Sequence, residues 1–298
     1  MHGRHSRLIA LILLALLVGG LGWTIYAPVR QERLNHALIA AIKKNDTQMA
    51  LTLLAEGADA NARDEPPQHM SLWRLLLDRL RGRYSAPSTT HTALWLACAW
   101  GEEDLRRKPA PDNWPLVKVL LERGAKVNVT DKRGETPILL AVRLDKQQVC
   151  HLLIQRGANV NAADIHDWTP LKWAVLMHST DMVRLLVDNG AHVNTVCSSR
   201  IPGDMTPLML AQGIGQDDPT ITEILLTKGA GVNATTPYGR SALHIAIDDN
   251  RVRSVRTLIG HGANVNLATS YGVTPLKMAK RLGRSMILQM LKQAGAKE

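Results

Sequence analysis

This chain contains no phenylalanine, and aromatic residues make up only 4% of it. A core built on large rings is excluded, and the abundant Leu, Ala, Val and Ile suit thin helical layers instead. Cysteine is scarce as well. Cys98, Cys150 and Cys197 are odd in number and lack metal-ligand spacing, so neither a disulfide framework nor a metal site is expected. Cys98 and Cys150 fall at apolar positions of predicted helices and read as small buried thiols. The motifs that carry chemistry are missing too: no Gly-x-Ser-x-Gly, no phosphate-binding lysine loop, no His-Glu-x-x-His. Cys150 and His151 are adjacent on one predicted helix and so point in different directions, a poor nucleophile–base pair. The expectation is a protein that is not an enzyme, with no catalytic residue, cofactor, metal or small-molecule substrate.

The formal charge of +10 invites a nucleic-acid reading, which weakens once the charge is located. Residues 1–33 carry about +3 and Lys280–Glu298 about +4, while elsewhere Asp and Glu are interleaved with Lys and Arg. No motif for RNA or DNA accompanies them, so no nucleic-acid partner is expected.

Leu8 to Ala27 is a run of 20 residues without a formal charge. As a helix it would be roughly 30 Å long, the thickness of a hydrocarbon core. Arg4 and Arg7 precede it, and Trp23 and Tyr26 lie near its far end, where interfacial aromatics belong. The run is longer than the apolar part of a cleavable signal, and the best small-residue site, at Ala27, is followed by Pro28. It therefore reads as a signal anchor through which the chain meets the lipid bilayer, after a basic segment 1–7 and before a juxtamembrane linker 28–33. The expected topology is single-pass, with the amino terminus cytoplasmic and the rest on the outer side, the periplasm in a bacterium. Cleavage would instead release a secreted inhibitor or effector.

The remaining residues are periodic. The phrase Gly-Ala-x-(Val/Ala)-Asn occurs at Gly57–Asn61, Gly124–Asn128, Gly157–Asn161, Gly190–Asn194, Gly229–Asn233 and Gly262–Asn266, with a truncated copy at Gly295-Ala296. Successive glycines lie 67, 33, 33, 39, 33 and 33 residues apart. Such a period marks a stacked-repeat protein. Upstream of the glycine stands a second phrase: Thr136-Pro137-Ile138, Thr169-Pro170-Leu171, Thr206-Pro207-Leu208 and Thr274-Pro275-Leu276, with weaker copies at Thr92 and Ser241. Thr caps a helix, and Pro suits its first turn. Paired leucines such as Leu152-Leu153 and Leu185-Leu186 mark a second helix, which the glycine ends in a left-handed conformation. Turn residues such as Asp131–Gly134 then give a tight hairpin.

These phrases resemble those of the ankyrin repeat family over roughly residues 34–298. The resemblance implies an all-α solenoid of helix–turn–helix units joined by β-hairpin loops. Seven units are read: 34–61, 62–128, 129–161, 162–194, 195–233, 234–266 and 267–298, the first and last as caps. Only His244 stands at the family's histidine position. Leu139, Lys172, Met209, Lys277 and Trp95 replace it elsewhere, which should weaken the usual hydrogen bonding between repeats there.

The 67-residue interval is read as one unit carrying insertions, the first over Asp64–His91, the alternative being a degenerate unit of which Ser71–Leu76 is a faint echo. The insertion's Leu72, Trp73, Leu75, Leu76, Leu77 and Leu80 are set against Arg74, Asp78 and Arg81 at helical spacing, which suits packing on neighbouring repeats or, as another reading, a lipid-surface module helped by Arg79 and Arg83. Exposed loops are expected at Leu105–Pro115 and around Gly213–Pro219.

The resemblance implies a non-enzymatic scaffold or adaptor that docks a protein partner on a concave face of hairpins and first helices. The candidate partner-binding residues at hairpins are Lys132, Arg133, Glu135, Ile165, His166, Trp168, Tyr238, Arg240 and Tyr271. On the first helices they are Trp100, Arg143, Leu176, Asp248 and Arg281. Aromatic and Arg side chains carry most binding energy, and Trp168 and Tyr238 stand where a polar turn residue would suffice. Trp95 and Trp173 lie deeper in their helices and read as packing residues.

Overall fold

A computed structural model describes residues 26–64, 91–99, 113–196, 204–213 and 215–297. The described residues form helices joined by turns, with two isolated β-bridges, Arg63 to Thr92 and Thr235 to Ser241, as their extended pairings. The chain divides into two compact units, 1–100 with 113–126, and 101–112 with 127–298.

The first unit holds helix α1 (26–43), α2 (Thr47–Ala55), α3 (Ala93–Ala99) and α4 (Trp114–Glu122). Helix α1 runs without a break from residue 26, so residues 28–33 are helical. Contacts with the end of α2 help to order this stretch. The side chains of Arg30 and Gln31 donate to the carbonyls of Glu56 and Gly57, at 3.3 and 2.9 Å, which satisfies acceptors left open at the end of α2. Further along, residues 62–64 and 91–93 lie side by side, with Asp64 N–H donating to His91 O and Ala93 N–H to Ala62 O. The chain thus leaves at 64 and returns at 91 to the same place. Helices α3 and α4 then pair, and α2 packs on α4.

The second unit contains five helix pairs: α5 (Pro137–Arg143) with α6 (Gln147–Gln155), α7 (Pro170–Leu176) with α8 (Thr180–Asp188), α9 (Pro207–Leu210) with α10 (Thr220–Thr227), α11 (Ala242–Asp248) with α12 (Val252–Gly260), and α13 (Pro275–Arg281) with α14 (Ser285–Gln293). First helices pack on first helices, and from α8 onward second helices pack on second helices. Each Thr-Pro phrase behaves as its chemistry requires. Thr136, Thr169, Thr206 and Thr274 sit extended at the N-cap, and each hydroxyl accepts from the amide three residues on. The following Pro occupies the first helical turn, where its missing N–H costs nothing. The residue two positions after each cap is buried in the core: Ile138, Leu171, Leu208, Leu243 and Leu276 in turn. The motif glycines have φ between 80° and 102°, the left-handed region in which they close the second helix of each pair.

The asparagine that closes each phrase has a role beyond the turn. Asn128, Asn161, Asn194, Asn233 and Asn266 each donate through Nδ2 to the next motif glycine's carbonyl. Each also accepts at Oδ1 from the amide two residues beyond that glycine, at 2.7–2.9 Å. Each phrase in the second unit is therefore stapled to the next by a two-bonded amide. In the first unit Asn61 makes the same two bonds to Gly124 O and Lys126 N, which brings the repeats ending at 57 and 124 directly together. Helix α1 supplies the opening rung by another route: Gln31 bonds Gly57 O, and Asn35 accepts from Asp59 N–H at 2.9 Å.

Among the described residues no helix is long and apolar enough to cross a membrane. The apolar run 8–27 lies outside the described residues except for its last two positions, as do Trp73, Arg79 and most of the 64–91 insertion.

Candidate partner-binding surface

Every hairpin of the second unit that is described is closed in the same way. Asp131, Asp164, Thr236 and Thr269 each donate their N–H to the carbonyl four residues on. The side-chain oxygen of the same residue accepts from that residue's amide: Glu135, Trp168, Arg240 and Val273 respectively. The short polar side chain copies a backbone turn, which is why Asp and Thr stand there. Adjacent tips are then tied together. Ile165 N–H donates to Arg133 O at 2.9 Å, and Ser270 N–H to Tyr238 O at 3.0 Å. At Gly239 a Cβ would lie 2.8 Å from Ser270 N, so the close approach of these two tips requires glycine.

The tips carry large apolar side chains into solvent. Ile165 and Tyr238 are each 63% exposed and Tyr271 is 78% exposed. Lys132, Arg133 and His166 are exposed beside them, as is Arg281 at the end of α13. Tyr238 and Tyr271 stand at the same position of successive repeats, on tips joined through Ser270.

Trp168 does not belong to this exposed set. It is only 8% exposed, and its ring lies 4.8 Å from that of Trp173 at a 37° tilt. The physical reason is its place just before the Thr169 cap. A residue there packs on the fifth residue after it, the hydrophobic staple that sets the entry of chain into helix. Trp173, read as a packing residue, is half-buried, while Trp95 is buried and stacks on His91 at 3.8 Å. The Arg143 guanidinium lies 5.8 Å from the centre of the Trp173 ring and 3.5 Å from Glu135. Glu135, Arg143 and Trp168 are thus drawn into one packed group around Trp173.

Arg240 and Asp248 are brought together as well, at 2.6 Å. Arg284 donates to the Asp248 carbonyl at 2.8 Å, a contact that links the last two repeats. Leu176 is half-buried. Trp100 lies outside the described residues.

The histidine position shows how the repeats differ. His244 is fully buried, and Nδ1 accepts from Ser241 N–H at 3.2 Å. That leaves the proton on Nε2, 3.3 Å from Val273 O in the following repeat. Burial lowers its pKa below the usual value, against the carbonyl of Val273, which raises it. Lys172, at the same position, is fully buried and donates to Asp167 O of its own hairpin at 3.0 Å, not to the next repeat. Leu139 and Met209 fill the place with apolar bulk.

The loop before α10 is held by three residues of a later helix pair. Arg251, largely buried, donates to Gln216 O and Gly215 O at 2.7 and 2.9 Å. Asp217 in return accepts from Arg253 N–H and Ser254 N–H, capping the start of α12. Asp218 caps α10 through Thr220, whose hydroxyl bond is the main reason its carboxyl is held below the usual range.

No group of His, Cys, Asp or Glu suited to a metal occurs among the described residues. Cys98 and Cys150 are both buried thiols. Such a surface offers apolar tips and fixed charges.

The residue pattern that defines ankyrin repeats in runs of three copies matches residues 110–197 and 208–298, and the pattern of a single ankyrin repeat matches residues 33–65. The chain belongs to the ankyrin repeat family. No curated protein matches it. Ankyrin repeats form protein-interaction modules, and this chain's stapled pairs and hairpins have that architecture. Sequence reasoning missed the asparagine staple, although the constant spacing of Asn after Gly in every full copy was its signal. It also missed the tryptophan staple, which a large apolar residue directly before Thr-Pro announces.

Proposed function

We propose that this ankyrin repeat protein is a membrane-tethered scaffold that holds a protein partner on its hairpin tips and first helices. The observation that carries the docking reading is the rigid exposure of Tyr238 and Tyr271 on hydrogen-bonded tips. Large rings that are already ordered lose little freedom on binding, so their burial is realised as affinity. Ile165, Lys132, Arg133, His166 and Arg281 extend the surface. The tether reading is supported by the uncharged run 8–27 with Arg4 and Arg7 before it. An anchor of that kind raises the local concentration of a membrane partner.

The tests are separate. A Tyr238→Ser/Tyr271→Ser variant of the full chain should fold as the wild type and lose most of the protein that co-purifies with it after crosslinking. Full retention of every partner would refute the tip surface. Alkaline carbonate extraction should leave the chain in the membrane pellet. Release into the supernatant, with a mature amino terminus near residue 28, would replace the tether with the secreted form.

A further inference from the structure

The net charge is confined to the two ends of the chain. Residues 34–233 hold 22 Lys and Arg against 22 Asp and Glu, a balance of zero. Residues 234–298, the last two repeats, hold ten against three, a net +7 of the total +10. Some of these cations serve the fold. Arg240 pairs with Asp248, Arg251 bonds the 215–216 carbonyls, and Arg284 bonds the Asp248 carbonyl. Lys277, Lys280 and Lys292 are exposed, and all three line one groove between α13 and α14. The groove has a volume of about 270 Å³, and Leu276 and Leu288 form its apolar side.

One repeat earlier the matching positions show what this groove is shaped for. Leu243, His244, Ile247, Val255 and Ile259 occupy them, the first four buried and Ile259 half-buried, where α13 packs on α11 and α14 on α12. The face is therefore built to receive apolar residues of a helix. Its outer position demands wettable side chains, as terminal repeats do. Wettability does not demand one sign. Lys277 and Lys280, three residues apart on one helix, repel each other, and a Lys–Glu mixture would wet the face without that cost.

We infer that this groove docks an acidic, leucine-bearing helical segment of a partner protein, its leucines on Leu276 and Leu288 and its carboxylates on the three ammonium groups. This surface is separate from the hairpin tips and does not depend on them. A nucleic acid gains nothing from the apolar floor, and the groove presents no aromatic ring for base stacking. An anionic bilayer is flat, whereas Leu276 is recessed and buried. A second copy is disfavoured too: the acidic run Glu102-Glu103-Asp104 is followed almost at once by Arg106, Arg107 and Lys108.

The test uses the full chain in mild detergent and a fluorescein-labelled helical peptide with Leu every third or fourth residue and Glu between. Saturable binding by anisotropy is expected. It should weaken at least tenfold in a Lys277→Gln/Lys280→Gln/Lys292→Gln variant, whose exposed neutral side chains leave the helical spectrum and melting unchanged. Leu288→Gln alone should weaken it several-fold. The peptide with Ser for Leu should bind at least tenfold more weakly to the wild type. Equal binding of that peptide would overturn the groove in favour of plain charge attraction. Absence of peptide binding would overturn it as well. If the triple variant loses only phosphatidylserine vesicles or only poly(dT), the basic end is a lipid or nucleic-acid surface and the inference fails.

Discussion

Asn161→Ala should cost the protein about 1–2 kcal/mol, and the loss should fall on coupling between repeats. Asn161 donates to Gly190 O at 3.0 Å and accepts from His192 N–H at 2.8 Å. Each such bond contributes about 0.5–1.5 kcal/mol net, so the pair amounts to roughly 1–3 kcal/mol. Gly190 and His192 are both exposed, so water takes over the freed carbonyl and amide and no orphan penalty is added. That places the expectation in the lower part of the range. Asn161→Asp separates the two bonds. It keeps the acceptor for His192 but sets a carboxylate oxygen against the Gly190 carbonyl, so it should be at least as harmful as Ala at neutral pH.

Asn189→Ala is the control. Its Nδ2 donates to Leu185 O within its own helix end. It should cost no more than about 0.5 kcal/mol. Urea unfolding of the full chain, followed by circular dichroism at 222 nm, measures all three. Stability in stacked repeats is close to a sum of intrinsic and neighbour terms, so weakening a neighbour term should also broaden the transition. If Asn161→Ala matches Asn189→Ala in midpoint and slope, the staples contribute nothing and side-chain packing alone joins the repeats.

Lys172 is fully buried with its ammonium on a carbonyl, while the next repeat has buried Met209 there. Lys172→Met should therefore be neutral or gain up to about 1 kcal/mol by calorimetry, whereas Lys172→Ala should lose about 2 kcal/mol to a cavity. Asp217→Ala removes the cap of α12 and should cost about 1–2 kcal/mol. Hydrogen exchange at Arg253 and Ser254 should quicken, while that at Arg281 stays unchanged. His244 is buried neutral with a lowered pKa, so the unfolded chain takes up a proton that the folded one refuses. Its effect is absent above about pH 6.5 and removes stability as pH falls below that value. The urea midpoint should drop as pH falls below about 6.5, and His244→Leu should flatten that slope while lowering the midpoint at about pH 8.

The helix pairs were legible because each depends on local chemistry. Thr136 caps whatever follows it, and Gly157 adopts φ 80° without any help from tertiary structure. Periodic spacing then multiplies a weak local signal across copies. The role of Asn161 was harder to see, since its partners lie 29 and 31 residues away and no local rule names them. Helix α1 hid its extension for a related reason. Arg30 and Gln31 bond carbonyls at 56 and 57, which only packing brings near.

Charges at the first helices are paired within their own repeats. Glu135 and Arg143 are eight residues apart, as are Arg240 and Asp248, and both pairs link the residue before a cap to the far end of the same helix. The two positions exchange sign between repeats yet remain matched. In these two repeats the pair is neutral, whichever of its members carries which charge. Trp168 occupies the same position before a cap and covers its surface with Trp173. These positions are engaged within their own repeat, so the docking surface proposed above rests on side chains that the pairing does not consume. Tyr238, Tyr271, Ile165 and Arg281 meet that condition. Replacing Glu135 and Arg143 by each other should therefore leave partner binding within about twofold of the wild type, whereas Tyr271→Ser alone should reduce it by about tenfold or more. Quantitative crosslinking of the full chain distinguishes the two, and a loss in the swapped pair as large as that at Tyr271 would place recognition on the first helices instead.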